Sequence, residues 1–244
     1  MRLQIGNGLM DFAAGEILLV DKPLGWTSFD VVNKIRYEIK RKLKVKKIKV
    51  GHAGTLDPLA DGLLILCTGK KTKEIDNYMG MPKMYSGTIT LGATTPSYDL
   101  ETQIDATFSL DGLTHEAIYA EAKKMEGDML QNPPIFSAKK IAGNKAYDLA
   151  RAGKEVVLQA KLVQIQEFKI VSIEMPLVHF EITCSKGTYI RSIAHDFGKN
   201  LGNGGHLSGL SREAIGDFKL TDAKTVDQWI SEINLLDIDN IHVI

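Results

Sequence analysis

The chain has 244 residues, of which 44% are hydrophobic and 25% charged, with thirty Lys/Arg against thirty Asp/Glu. That composition is close to the globular average and excludes a disordered or fibrous chain, and the length suits one large domain or two small ones with a core that needs no staples. The neutrality hides a gradient: residues 1–83 carry 15 Lys/Arg and 9 Asp/Glu, a net of +6, whereas residues 84–154 carry 7 and 9 (−2) and residues 155–244 carry 8 and 12 (−4). The N-terminal third is therefore the part to examine for nucleic-acid contact. No apolar run is long enough to span a bilayer, and the opening MRLQIGNGLMDF has no apolar stretch of a secretory signal. Cys67 and Cys184 lie far apart in no CxxC pair, which points to a reducing cytoplasm.

Along the chain, EILLV (16–20) reads as a short buried strand punctuated by DKPLGWTS. Thr27 and Asp30 have capping-box spacing, and Phe29, Val32, Ile35 and Ile39 recur at helical spacing, so a helix is expected at about 28–41. KRKLKVKKIK (40–49) has seven basic residues in ten. GHAGTLDPLADG (51–62) is too rich in Gly and Pro for a regular element, LLILC (63–67) reads as a strand, and 70–78 as a short helix. Tyr85, Gly87, Ile89 and Leu91 alternate with polar residues, the period of a half-buried strand. A helix is expected over 113–125, irregular chain over 132–140 because of Pro133 and Pro134, and a short helix over 144–152. The apolar phase of 163–173 switches from Val163/Ile165 to Phe168/Ile170, which calls for a bulge. Val178, Phe180, Ile182 and Cys184 alternate cleanly, and 188–201 reads as a helix. The segment after Gly216 is short and acidic. Strands and helices do not alternate strictly, so the expected class is α+β with a largely antiparallel sheet.

Several motifs fail. TGKK (68–71) has Leu64 where a phosphate loop needs Gly, and Lys71 where it needs Ser or Thr. GNGGHLSG (202–209) lacks dinucleotide spacing, the histidines and cysteines have no metal-ligand spacing, and no GxSxG elbow is present.

The loop GHAGTLDPLADG is different. Asp57 precedes Pro58, which pushes its backbone away from helix, and the glycines around it permit close approach. A carboxylate held on a rigid loop can act as nucleophile or general base; equally, Asp before Pro is a common turn. The residues alone leave both open.

GHAGTLDPLADGLLILCTGKKTK strongly resembles the catalytic motif of the TruB family of bacterial tRNA pseudouridine synthases. Asp21-Lys22-Pro23 with Gly25 and Ser28 resembles that family's N-terminal motif. Tyr85 before GTITLG resembles its tyrosine strand, with Asp99 at the family's spacing. PPIFSAKKIAGNKAYDLAR (133–151) resembles its RNA-gripping insertion, and GTYIRSIAHDFGKNLGNGGHLSGLSR (187–212) its arginine helix and the loop after it. The motifs run in family order over about residues 16–215. Asp61 stands where Thr is more often expected, and is given no role.

The resemblance implies the pseudouridine synthase fold, a mixed, largely antiparallel bent sheet with flanking helices and an RNA-gripping insertion at about 133–158. It implies isomerisation of uridine 55 in the tRNA T-loop to pseudouridine, with no cofactor and no metal. No guide RNA is expected, since the guided type should carry the PUA module, and a monomer is expected because no coiled coil is evident. Asp57 would be the catalytic aspartate. Arg191 would pair with it and keep it ionised. Asp99 would either hold Arg191 from behind or serve only as a strand-end turn. Tyr85 would stack on the extruded base, with its phenol a candidate proton carrier; Tyr189 would share that role or pack beneath the arginine helix. His52 would lie against the T-loop, and Leu210 would meet the uracil through backbone groups or be a core leucine. The run 40–49, with Lys70, Lys71, Lys73, Lys139, Lys140 and Lys145, would face phosphates or simply be solvated. A catalytic domain of 1–215 is expected, followed by a short acidic extension, 216–244, in place of the C-terminal PUA module of longer members. The rival functions are a tRNA-folding module in which catalysis is incidental, and a sister synthase acting on ribosomal or guided RNA.

Overall fold

The computed structural model describes residues 3–5, 8–136, 140–141, 144–145 and 159–236. The main elements, in chain order, are β1 (Ile17–Lys22), α1 (Ser28–Leu43), β2 (Val50–His52), β3 (Asp61–Thr68), a 3-10 turn leading into α2 (Ile75–Gly80), β4 (Lys83–Leu91), α3 (His115–Lys124), β5 (Gly127–Gln131), β6 (Lys161–Glu174), β7 (Leu177–Cys184), α4 (Ile190–Asn200), β8 (Gly205–Ile215), β9 (Lys224–Thr225) and α5 (Val226–Leu235). They fall into two units, Met1–Lys83 with Ser211–Ile244, and Met84–Leu210. Strand β8 crosses the boundary between Leu210 and Ser211.

In the first unit β3 is the central strand. It pairs antiparallel with β1 and β2 and parallel with the C-terminal half of β8, while β9 adds to β1 in parallel. Every residue of β3 after Asp61 is buried. An unbroken apolar run is what burial on both faces demands. Leu64 and Leu66 point to one cluster with Leu18, Val20, Val31, Ile35, Ile39, Trp229 and Ile233. Leu63, Ile65 and Cys67 point to another with Ala53, Tyr78 and Ile215.

Helix α1 starts where expected. Thr27 Oγ1 accepts from the Asp30 amide at 3.0 Å and the Asp30 carboxylate accepts from the Thr27 amide at 2.9 Å. Helix α5 begins with a second capping box, Thr225 with Gln228. Its apolar side joins the α1 core, and the Trp229 indole donates to Leu19 O at 2.8 Å. Within residues 216–236, Val226, Trp229, Ile233 and Leu236 join the first unit's core; residues 237–244 lie outside the described chain.

In the second unit the strand order is β8, β4, β7, β6, β5. Strand β6 pairs antiparallel with both β7 and β5. Its register with β7 slips between Ile165 and Glu167, the bulge that the phase switch requires, and again between Ile170 and Ser172. Phe168 lies 5.7 Å from Phe180 and 5.5 Å from Phe197, ring centre to ring centre. A short hairpin, Ala93–Thr94 with Ala106–Thr107, carries the loop that holds Asp99. The helix expected over 144–152 lies mostly outside the described residues, and its first two residues differ: Asn144–Lys145 pair antiparallel with Lys140–Ile141. Among the described residues no helix is long and apolar enough to cross a membrane.

Candidate active site

In the first unit, Asp57 is exposed on the loop between β2 and β3. The backbone on each side of it is pinned. The buried Ser28 hydroxyl, at the start of α1, accepts from the Leu56 amide at 2.8 Å and donates to the Leu56 carbonyl at 3.1 Å. Pro58 O accepts from Gly25 N at 2.8 Å, and Asp57 O from Ala60 N at 3.1 Å. The motif residues Gly25 and Ser28, remote in sequence, are thus the struts of the aspartate loop.

Two buried cations lie under this loop. Arg212 is 1% exposed; its Nε donates to Leu63 O at 2.7 Å and its Nη2 to Gly54 O at 3.1 Å, so one guanidinium grips both stems of the loop. Gly62 makes this possible. Its φ is +96°, and a Cβ there would stand 2.6 Å from the backbone N and O of Arg212. Lys22, fully buried at the end of β1, donates to Pro23 O at 3.0 Å and Trp26 O at 2.6 Å. Burial pushes its ammonium below the usual lysine range; Asp61 and Asp57 oppose that, and Arg212 adds to it. Asp21 is pushed up by burial and by Asp61 and Glu213. Asp61, left without a role by the sequence, is thus one of the charges around Lys22.

His52 ends β2 and is half-buried. Burial first, then the charge of Arg212, hold its imidazole below the ordinary value, so the ring is neutral at pH 7.

The other four predicted residues belong to the second unit. Arg191 sits in the first turn of α4 and is 5% exposed, where a solvated arginine would be open to water. Its Nη1 lies 3.5 Å from Asp99 Oδ2, and Nη2 donates to Phe136 O at 3.0 Å. Asp99 therefore holds Arg191 through Oδ2, while its Oδ1 accepts from Glu101 N at 3.0 Å, so the ion pair and the turn are both present. The Asp99 loop is itself braced: Thr95 Oγ1 donates to Asp99 O at 2.6 Å, and Ser97 N and Thr102 N each donate to the other's hydroxyl. Next to Asp99, Tyr98 has φ +65° and stacks on His195 of α4 at 3.9 Å. The Arg191–Asp99 pair and this stack are two rungs four residues apart on one helix face.

Tyr189 is the N-cap of α4, half-buried. The Gln131 side chain, 1% exposed, accepts from Tyr189 N at 2.8 Å and donates to Tyr189 O at 3.0 Å, so a single amide fixes where the arginine helix begins. Tyr85 is a buried residue of β4, 9% exposed. Leu210 in β8 is half-buried and precedes Ser211 and Arg212; it is not a fully buried core leucine.

Part of the basic run is structural. Arg41 donates to Asn234 Oδ1 at 2.6 Å and Lys42 to Asn234 O at 2.8 Å, which ties α1 to the end of α5. Lys44, Lys46, Lys47 and Lys49 are exposed, as are Lys70 and Lys73. Lys71 pairs with Glu74 at 2.9 Å. Lys139 and the side chains of Lys140 and Lys145 lie outside the described residues.

Lys22, Arg212, Ser28 and Gln131 are the site residues that motif reading left without roles. Only Lys22 had a signal. It shares the odd–even phase of Leu18 and Val20 along β1, which places it on the buried face.

Residues 40–190 match the family model described as TruB family pseudouridylate synthase, N-terminal domain. The chain belongs to the TruB family. Among relatives, it is 54% identical over 211 residues to the tRNA pseudouridine synthase B of Parabacteroides distasonis, covering 86% of this chain and 90% of that one. It is 50% identical over 234 residues to that of Phocaeicola vulgatus, covering 95% and 100%. Its fold is the pseudouridine synthase fold. An archaeal box H/ACA sRNP Nop10-Cbf5 complex matches with a TM-score of 0.66 and 25% identity over 94% of this chain and 57% of that chain. An H/ACA RNP bound to a substrate RNA containing 2'-deoxyuridine gives 0.64 and 25% over 90% and 53%. The TruB chain spans little more than half of those two solved chains.

Proposed function

We propose that this enzyme isomerises the uridine at position 55, in the T-loop of tRNA, to pseudouridine. The relatives named tRNA pseudouridine synthase B, matched over 90% and 100% of their own lengths, support the tRNA substrate. The observation that carries the reading is Asp57, an exposed carboxylate in the family's catalytic motif, whose neighbours on both sides are clamped and whose loop rests on Lys22 and Arg212.

The reaction breaks the N1–C1′ bond, turns the uracil and joins C5 to C1′. C5 loses a proton and N1 gains one, so atoms balance without a cofactor. Ionised Asp57 attacks the sugar, attacks the ring or takes the 2′ proton; each step uses the same placement of the carboxylate. Asp99 keeps Arg191 oriented, and the family resemblance gives Arg191 the role of partner to the catalytic carboxylate, whose ionised form it favours. Tyr85 stacks on the extruded base, its phenol the candidate carrier of the C5 proton, and Tyr189 shares that role. His52, as a neutral ring, packs against the T-loop in place of the extruded nucleotide, and Leu210 meets the uracil through its backbone. Extraction of the base costs a few kcal/mol, which interactions with the splayed loop and its phosphates offset. The enzyme works as a monomer in the cytoplasm, without a guide RNA.

The test is pseudouridine formation in a T-loop transcript. Asp57→Ala abolishes it while tRNA binding survives; unchanged isomerisation would remove Asp57 from the reaction. Mapping in a deletion strain separates the rival substrate: loss at tRNA position 55 supports the reading, and loss confined to ribosomal RNA refutes it.

A further inference from the structure

The outward side of residues 24–37 carries a surface that the isomerisation chemistry leaves unused. Residues 24–40 carry Lys34, Arg36 and Lys40 against Asp30 and Glu38, a net of +1, and the basic run continues from Lys40 to Lys49. Helix α1 turns Val31, Val32, Ile35 and Ile39 to the core. Its opposite side carries Phe29 and Tyr37, each 60% exposed, and just before the helix Trp26 is 36% and Leu24 62% exposed. Exposed apolar residues grouped in one patch mark an interaction site, where single ones do not.

Cations are interleaved with these rings. The Arg36 guanidinium carbon lies 5.9 Å from the centre of the Phe29 ring, so that face already serves as a cation platform. Trp26, Asn33 and Lys34, with Gly25 and Asp30, line an open concavity of about 570 Å³, ample for a nucleobase. The surface is joined to the Asp57 loop by the Gly25 and Ser28 hydrogen bonds, so RNA placed on it lies next to the reacting nucleotide. Exposed aromatic faces among basic residues are the chemistry that holds unpaired bases and their phosphates.

From this we infer a second RNA subsite on the outer face of residues 24–37. Trp26 and Phe29 stack unpaired bases of the substrate beside the flipped nucleotide, and Arg36 and Lys40 meet its phosphates, next to Lys34, which pairs with Glu38 at 3.2 Å. The inference rests on the RNA-substrate reading above and adds a surface to it.

The experiment measures the affinity of the full chain for a tRNA transcript at several salt concentrations, with melting temperature as a folding control. The double substitution Trp26→Ala with Phe29→Ala raises Kd at least fivefold. Arg36→Glu raises Kd and lowers the slope of log affinity against log salt by about one. Tyr119→Ala, which removes another exposed aromatic on α3, leaves Kd within twofold. Wild-type affinity in the Trp26/Phe29 variant would overturn the proposal. So would a wild-type dimer that this double variant converts to monomer, since the surface would then belong to a second copy. Failure of the isomerisation reading itself shows differently, as absence of pseudouridine with the wild-type chain.

Discussion

A lysine with no exposed surface is unfavourable unless its protons are taken up. Lys22 gives two to the carbonyls of Pro23 and Trp26, and in doing so closes the turn that leads into α1. Arg212 does the same for the two stems of the aspartate loop. Both cations thus shape the site by bonding backbone carbonyls. The two shifted histidines give a testable consequence. Burial holds His52 and His195 below the ordinary 6.5; Arg212 adds to this at His52, and at His195 the carboxylates of Asp196 and Asp105 oppose it while Lys199 reinforces it. The unfolded chain takes these protons near 6.5 and the folded chain only at lower pH. Stability is therefore fully present above 6.5 and is lost as pH falls from there through the folded values. The melting temperature is expected to drop between pH 7 and 5, and less so in the double variant His52→Gln with His195→Gln. An equally steep profile in that variant would assign the drop to other groups.

At the level of elements, the aspartate loop has no regular structure of its own and borrows its shape from α1. Removing one hydroxyl with Ser28→Ala leaves both backbone groups of Leu56 unpaired in a buried place. Denaturant unfolding is expected to show a loss of about 1–3 kcal/mol, and the isomerisation rate should fall at least tenfold at saturating tRNA. A rate unaffected by the substitution would mean that the loop keeps its shape without α1. Helix α5 supplies the second case. Its capping box, Thr225 and Gln228, and its apolar spacing at Val226, Trp229 and Ile233 were visible in the sequence. The local acidity of the segment obscured them, because charge describes the outer side of a helix and says nothing of the side that packs. Trp229→Ala is expected to cost about 3–5 kcal/mol in the same unfolding measurement; a cost under 1 kcal/mol would show that the helix adds little to the core.

For the whole molecule, net charge is a poor guide, since a total of zero conceals +8 within residues 22–49. Affinity for tRNA is expected to fall roughly tenfold or more between 50 and 200 mM salt, as release of counterions from several phosphates requires; a flat response would leave those cations as solvated surface. The primary sequence by itself determined what depends on near neighbours: the α1 cap, the alternation of β4 and β7, the bulge in β6, and the order of motifs that marks the family. Periodicity assigns a residue to a face without naming what covers that face. Only the tertiary structure decided that Ser28 clamps Leu56, that Arg212 spans Gly54 and Leu63, that Gln131 sets the first residue of α4, and that Asp99 belongs to Arg191. Those partners stand from 28 to 158 residues apart in the chain. Buried polar groups must be satisfied by whatever the packed register brings within about 3 Å, and register is a property of the assembled sheet.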